Sequence, residues 1–139
     1  MNLVVDASVI VKWALADSAP ENDREEAVAL LAKIQAGAVT LLQPPHWLAE
    51  VAAVLTRLRP EIAEEAIELL DAMEFPVTSE AAVLKRASRV ARQLNHHLFD
   101  TLYHAVALEH GLTLVTADDT YFRKARKLGR IAWLRSGPW

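Results

Sequence analysis

Short apolar runs alternate with longer stretches in which apolar residues recur every three or four positions, the mark of buried strands alternating with amphipathic helices. Leu3–Val5 reads as a strand ending at Asp6, and Val9–Leu15 as a first helix. Residues 17–22, Asp-Ser-Ala-Pro-Glu-Asn, read as a loop, and the helix that follows runs to about Ala36, where Gly37 stops it. Val39–Leu42 is predicted as a second strand, halted by Pro44 and Pro45. Helices are predicted over Trp47–Leu58 and, opened by Pro60, over Glu61–Met73, with acids gathered in the first turns as the helix dipole favours. Phe75–Val77 is a weak strand, and Ser79 is placed to cap a helix reaching about Leu94. A helix over Asp100–His110 ends at Gly111, followed by a strand at Leu112–Thr116, a helix over Thr120–Leu128 closed by Gly129, and a strand at Ile131–Leu134.

Strands of this length alternating with helices argue for a parallel sheet covered on both faces. In such sheets the functional crevice lies beyond the carboxyl ends of the strands. Asp6 and Asp118 each follow a predicted strand, while Glu50 and Asp100 fall near helix starts that can open on the same rim. Carboxylates gathered there repel one another, by roughly 4 kcal/mol for a pair about 4 Å apart at an effective dielectric near 20. A cluster of that kind takes up protons or holds a divalent cation.

Composition narrows the class. With 139 residues and 53% hydrophobic content, the chain is expected to form one domain, residues 1–139, around a single core. The absence of cysteine excludes disulfides, thiolate nucleophiles and Cys-based zinc sites. The opening Met-Asn-Leu-Val-Val-Asp has no basic segment and meets a charge at the sixth residue, so no signal peptide is expected. No apolar run approaches the ~18 residues that span a bilayer, and a cytoplasmic protein is the expectation. The net charge of −3 hides an asymmetry: residues 1–84 hold 5 Lys/Arg against 14 Asp/Glu, whereas residues 85–139 hold 10 Lys/Arg against 4 Asp/Glu. A basic half around an acidic pocket fits a polyanionic substrate, although solvated helix faces produce the same imbalance.

Each acid also has a structural reading. Asp6, Asp100 and the Asp118-Asp119 pair could cap helices, whereas Glu50 lies at the margin of the apolar stripe formed by Trp47, Val51, Val54, Leu55 and Leu58. Ser8 and Thr116 are short hydroxyls placed to orient a carboxylate, Ser8 being equally a helix cap. His104, one turn beyond Asp100, could bond it or simply pack. His96, His97 and His110 show no metal-ligand spacing, and there is no Gly-rich phosphate loop or Gly-x-Ser-x-Gly elbow. Arg86 and Arg89, in a basic stripe with Lys85 and Arg92, and Arg123, Lys124 and Lys127, in a group with Arg126 and Arg130, are candidate phosphate contacts. Trp13, Trp47 and Trp133 are expected in the core or an interface.

The ordered segments Val-Val-Asp6-Ala-Ser8-Val, Pro-x-x-Leu-Ala-Glu50-Val, Phe-Asp100-Thr-Leu-Tyr-x-Ala-Val-Ala and Leu-Val-Thr116-Ala-Asp118-Asp-x-x-Phe resemble the four acidic motifs of the PIN domain. Over essentially its full length the chain is similar to the VapC-type toxins of bacterial and archaeal toxin–antitoxin pairs. The resemblance implies a three-layer α/β/α sandwich with a central, mostly parallel sheet of four or five strands. It implies an endoribonuclease dependent on Mg²⁺ or Mn²⁺, a homodimer, and a VapB-type antitoxin that covers or disrupts the acidic pocket. Asp6, Asp100 and Asp118 would hold the metal and Glu50 would position or deprotonate the attacking water, with Ser8, Thr116 and Asp119 in support. A metal-dependent phosphoesterase acting on small substrates, and a non-catalytic RNA- or protein-binding module, are the competing readings.

Overall fold

The computed structural model describes residues 1–15 and 23–139; the loop expected at residues 17–22 lies outside them. Its centre is a parallel four-stranded sheet. Strand β1 (Asn2–Val5) is followed by helices α1 (Ala7–Ala14) and α2 (Arg24–Gln35), then β2 (Thr40–Leu41). Four helices come next: α3 (Trp47–Leu58), α4 (Pro60–Asp71), α5 (Ala81–Leu94) and α6 (Leu98–His110). The chain closes with β3 (Thr113–Thr116), α7 (Asp119–Ala125), a 3-10 turn at Arg126–Leu128, β4 (Ile131–Trp133) and a last 3-10 turn at Leu134–Ser136. The strand order is β2-β1-β3-β4, with Val5 beside Val115 and Thr116 beside Trp133.

Among the described residues, seven α-helices flank the sheet in a three-layer α/β/α sandwich. Helix α6 packs on β1 and β3 with α5 against it; α1 packs on β3, α2 and α3, and α4 lies on α3. Leu3, Val4 and Val5 are buried in succession, because a strand covered on both faces has no solvent side and loses the usual alternation. In α3 the buried residues Trp47, Val51 and Leu55 recur every four positions, one face of a helix. Leu58, expected in that stripe, is 52% exposed instead. Trp13 and Trp47 are core residues, and the Trp13 indole donates to Ala27 O at 2.9 Å.

The weak strand at Phe75–Val77 does not form: an isolated bridge joins Val77 to Gln43. Pro76 has no N–H for a ladder and contributes its carbonyl, which accepts from Gln43 N at 2.9 Å. The Gln43 side chain extends the pairing instead. Its amide oxygen accepts from Val5 N and its amide nitrogen donates to Val5 O, both at 2.8 Å. That buried clasp fixes the chain one residue before Asp6.

Several boundaries shift by one or two residues, and three differences bear on the site's surroundings. Ser79 is not a cap, since α5 is entered from Glu80 with no side-chain cap bond. Helix α6 starts at Leu98, which places Asp100 in its first turn and His97 at the N-cap. The helix expected to run to Leu128 is α-helical only to Ala125 and tightens into the 3-10 turn.

Candidate active site

Asp6 follows β1 directly, and Asp118 lies two residues beyond the neighbouring strand β3. Parallel neighbours end at the same rim, so these two acids meet. Helices α6 and α3 bring Asp100 and Glu50. All four carboxylates line one cleft of about 350 Å³, with Ala7, Ser8, Val11, Ala53 and Val54. A larger groove of about 550 Å³, lined by Trp13, Leu31, Ile62, Leu69 and Met73 among others, has Glu65 as the one carboxylate among its described lining residues. Convergent charge therefore singles out the smaller cleft.

Asp6 sits at the floor of a hydroxyl network. Its Oδ2 accepts from Ser8 Oγ at 2.5 Å, from Ser8 N at 3.3 Å and from Thr116 Oγ1 at 3.3 Å. Ser8 Oγ in turn accepts from Ala117 N, and Thr116 Oγ1 from Asp118 N, each at 3.0 Å. The two hydroxyls thus tie the chain after β3 to the chain after β1. Burial pushes the Asp6 carboxyl up to about 6, the Ser8 bonds oppose this, and the Asp100 and Glu50 charges add to it. Asp118 Oδ1 accepts from Tyr121 N at 3.0 Å and caps α7. Asp119 does not line the cleft; it pairs with Arg135 at 3.1 Å.

Burial pushes Glu50 up as well, but His46 and Tyr103 outweigh it and hold the carboxyl below its ordinary value. His46 Nε2 lies 3.2 Å from Glu50 Oε1 and donates to Phe99 O at 2.8 Å. The buried Tyr103 hydroxyl faces Glu50 without the alignment of a full hydrogen bond. Burial and the surrounding carboxylates, Asp6 first, keep that phenol protonated.

Asp100 Oδ2 accepts from His96 Nε2 at 2.8 Å, and His97 Nε2 lies 3.0 Å from the same oxygen. His96 and His97, which show no metal-ligand spacing in the sequence, form with Asp100 a group whose ligand atoms lie within 4.8 Å of one another. The signal was available: residues three and four apart on a helix share a face. His46 and Glu50 show the same four-residue spacing. His104, in contrast, turns from Asp100. It is buried between Tyr121 Oη, at 2.9 Å, and Gly129 O, to which its Nε2 donates at 2.8 Å.

The basic residues divide. Arg123, Lys124, Arg126 and Lys127 line a cleft of about 510 Å³ with Gln93 and Leu94. Its Lys124 Nζ lies 3.2 Å from Nδ1 of His96, the residue whose Nε2 bonds Asp100. Arg86 is held by Glu109 at 2.7 Å, and Arg89 is exposed on α5. Trp133 stacks on Phe122 with Arg135 over its ring, away from the acidic cleft.

None of the described residues lining the acidic cleft is Lys or Arg. Oxygen donors alone, one already forced to hold its proton up to about pH 6, match a hard divalent cation such as Mg²⁺ or Mn²⁺. No helix among the described residues is long and apolar enough to cross a membrane. No curated protein matches the chain closely enough to report. The family model for the PIN domain matches residues 3–128, a stretch that contains all four acids. That family points to a nuclease, generally metal-dependent. By this match, and by the parallel α/β/α sandwich that carries the acids, the chain belongs to the PIN domain family.

Proposed function

We propose that the protein is an endoribonuclease dependent on Mg²⁺ or Mn²⁺, acting in the cytoplasm as the toxin of a toxin–antitoxin pair, with residues 1–139 working as one domain. The observation that carries the nuclease reading is the convergence of four carboxylates on a cleft with no cationic side chain among its described lining residues. In this reading Asp6, Asp100 and Asp118 hold the ion. A divalent cation bound there supplies positive charge against the phosphate and lowers the pKa of an attacking water. Glu50, kept ionised by His46 and Tyr103, orients that water and takes its proton. Ser8 and Thr116 fix Asp6 so that its carboxylate needs no rearrangement when substrate arrives.

RNA rather than a small phosphoester is favoured by the surroundings. A basic cleft lined by Arg123, Lys124 and Lys127 is linked to Asp100 by side-chain contacts through His96 and can take the phosphates of a longer backbone. Phe99 is 56% exposed beside His46 and offers a face on which an unpaired base can stack. The antitoxin partner and the homodimer rest on the resemblance to VapC-type toxins. The test is cleavage of a structured RNA by purified protein in Mg²⁺, comparing wild type with Asp6→Asn and Asp100→Asn. Both variants should remain folded and lose cleavage by at least a hundredfold. Undiminished cleavage by Asp6→Asn would overturn the role assigned to that carboxylate.

A further inference from the structure

The His96 and His97 rings stack with centroids 4.9 Å apart and planes inclined by 23°. Both direct Nε2 at the same atom, Asp100 Oδ2. One carboxylate oxygen gains little from a second imidazole when the first is already in place. His97 is nonetheless held there although its side chain is 64% exposed, where an unconstrained ring would sample other rotamers.

We infer that His96, His97 and Asp100 form a binding site for a borderline transition-metal ion, represented by Zn²⁺, at the edge of the acidic cleft. Two imidazole nitrogens and one carboxylate oxygen make a three-ligand zinc set with an open fourth position. Magnesium, which prefers oxygen, would not select it. The dimensions fit. Ligands about 2.0–2.1 Å from a tetrahedral ion stand roughly 3.3 Å apart. The nitrogen–oxygen separations of 2.8 and 3.0 Å therefore need to open by about half an ångström or less. Rotation of an exposed His97 ring can supply that.

Two features oppose the ion and make the inference specific. The positive end of α6 lies at His97, and the Asp100 charge offsets it. A metal on His96 Nε2 also requires the proton on Nδ1, yet His96 Nδ1 now faces the Lys124 ammonium at 3.2 Å. Lys124 must swing away, so it weakens the site. Asp100 belongs both to this trio and to the acidic cleft. Zinc should therefore also inhibit Mg²⁺-driven cleavage, a consequence that alone rests on the nuclease reading.

The test is calorimetric titration of Zn²⁺ into chelator-stripped full-length protein near pH 7.5, read independently of any cleavage. Wild type should bind one Zn²⁺ per chain at the trio, and tenfold excess Mg²⁺ should not displace it. His97→Ala, at an exposed position and checked by circular dichroism, should weaken binding at least tenfold, as should His96→Asn. Lys124→Gln, which removes the charge and offers His96 an acceptor, should tighten binding severalfold. Asp6→Asn, which changes the acidic cleft but none of the three ligands, should bind Zn²⁺ within twofold of wild type. Wild type that binds no Zn²⁺, or His97→Ala that binds it unchanged, would overturn the site. So would a loss in Asp6→Asn equal to that in His97→Ala, since the ion would then sit among the acids.

Discussion

Replacing Asp6 by Asn should make the metal-free protein more stable at neutral pH, although the change falls in the centre of the proposed site. The folded protein raises this carboxyl from 3.8 to about 6, so between those values the native state binds more protons than the unfolded chain. Stability contributed at this position is present below the unfolded value and is lost as pH rises through the native one. A shift of roughly two units, at about 1.4 kcal/mol each, makes the ionised side chain cost about 3 kcal/mol at pH 7. That figure is a ceiling, because Asp6 keeps some contact with water. The Asn oxygen can still accept from Ser8, while its amide N–H groups need partners, which leaves a net gain of about 1–2 kcal/mol. The assay is urea denaturation of both proteins in chelator at pH 4 and pH 7. The gap should be largest at pH 7, fall by about 2 kcal/mol toward pH 4, and vanish or reverse sign there. Added Mg²⁺ should narrow it at pH 7 by binding the native wild type. A variant less stable than wild type at pH 7, or a gap equal at the two pH values, would refute the claim that charge repulsion and burial strain this site.

Glu50→Gln should lower single-turnover RNA cleavage by about 10²–10⁴-fold, the range for a lost general base, with RNA affinity unchanged within twofold. Lys127→Ala and Arg123→Ala should each weaken RNA binding evenly across sequences and reduce the slope of log affinity against log salt by about one, read by fluorescence anisotropy. Burial lowers the His104 pKa from 6.5, so its contribution to stability is fully present above 6.5 and is lost as pH falls below that through the lowered native value, opposite in sign to Asp6. His104→Phe should remove that dependence and cost about 2–4 kcal/mol, because the Gly129 carbonyl and the Tyr121 hydroxyl lose their partner. Thermal denaturation at pH 5.5 and 7.5 checks both.

The sheet was legible because its strands are short apolar runs closed by polar or turn residues, and a parallel strand buried on both faces leaves that trace. What escaped was whatever depends on a neighbour. Phe75–Val77 has strand composition, but the Pro76 carbonyl and the Gln43 backbone produce a single bridge there. Leu58 carries the right spacing for the α3 stripe, yet the helix ends beneath it and the side chain meets water. The first turn of α6 was placed two residues late because His97 and Leu98 are neither good caps nor clear helix signals. Gln43, which clasps both polar groups of Val5 from 38 residues away, has no local signature at all.

For Asp6, Asp100 and Asp118 the sequence offers two readings, helix cap or cleft residue, and at Asp6 and Asp118 the geometry realises both at once. Asp6 accepts from Ser8 N at the start of α1, and Asp118 accepts from Tyr121 N in the first turn of α7. Each cap stands where a strand of a parallel sheet gives way to a helix, and β1 and β3 are adjacent. Two caps on adjacent strand ends must then share one rim. A cap whose charge only satisfied its own helix would gain from lying apart from other carboxylates. Asp6 instead is crowded by Asp100 and Glu50 and driven up to about 6, at a cost that the hydroxyls of Ser8 and Thr116 only partly offset. Glu50 and Asp100 complete the crowding from helices whose own capping does not need them. Helix capping therefore accounts for where two of the acids stand, and the proposed ion on Asp6, Asp100 and Asp118 would account for why the fold tolerates four.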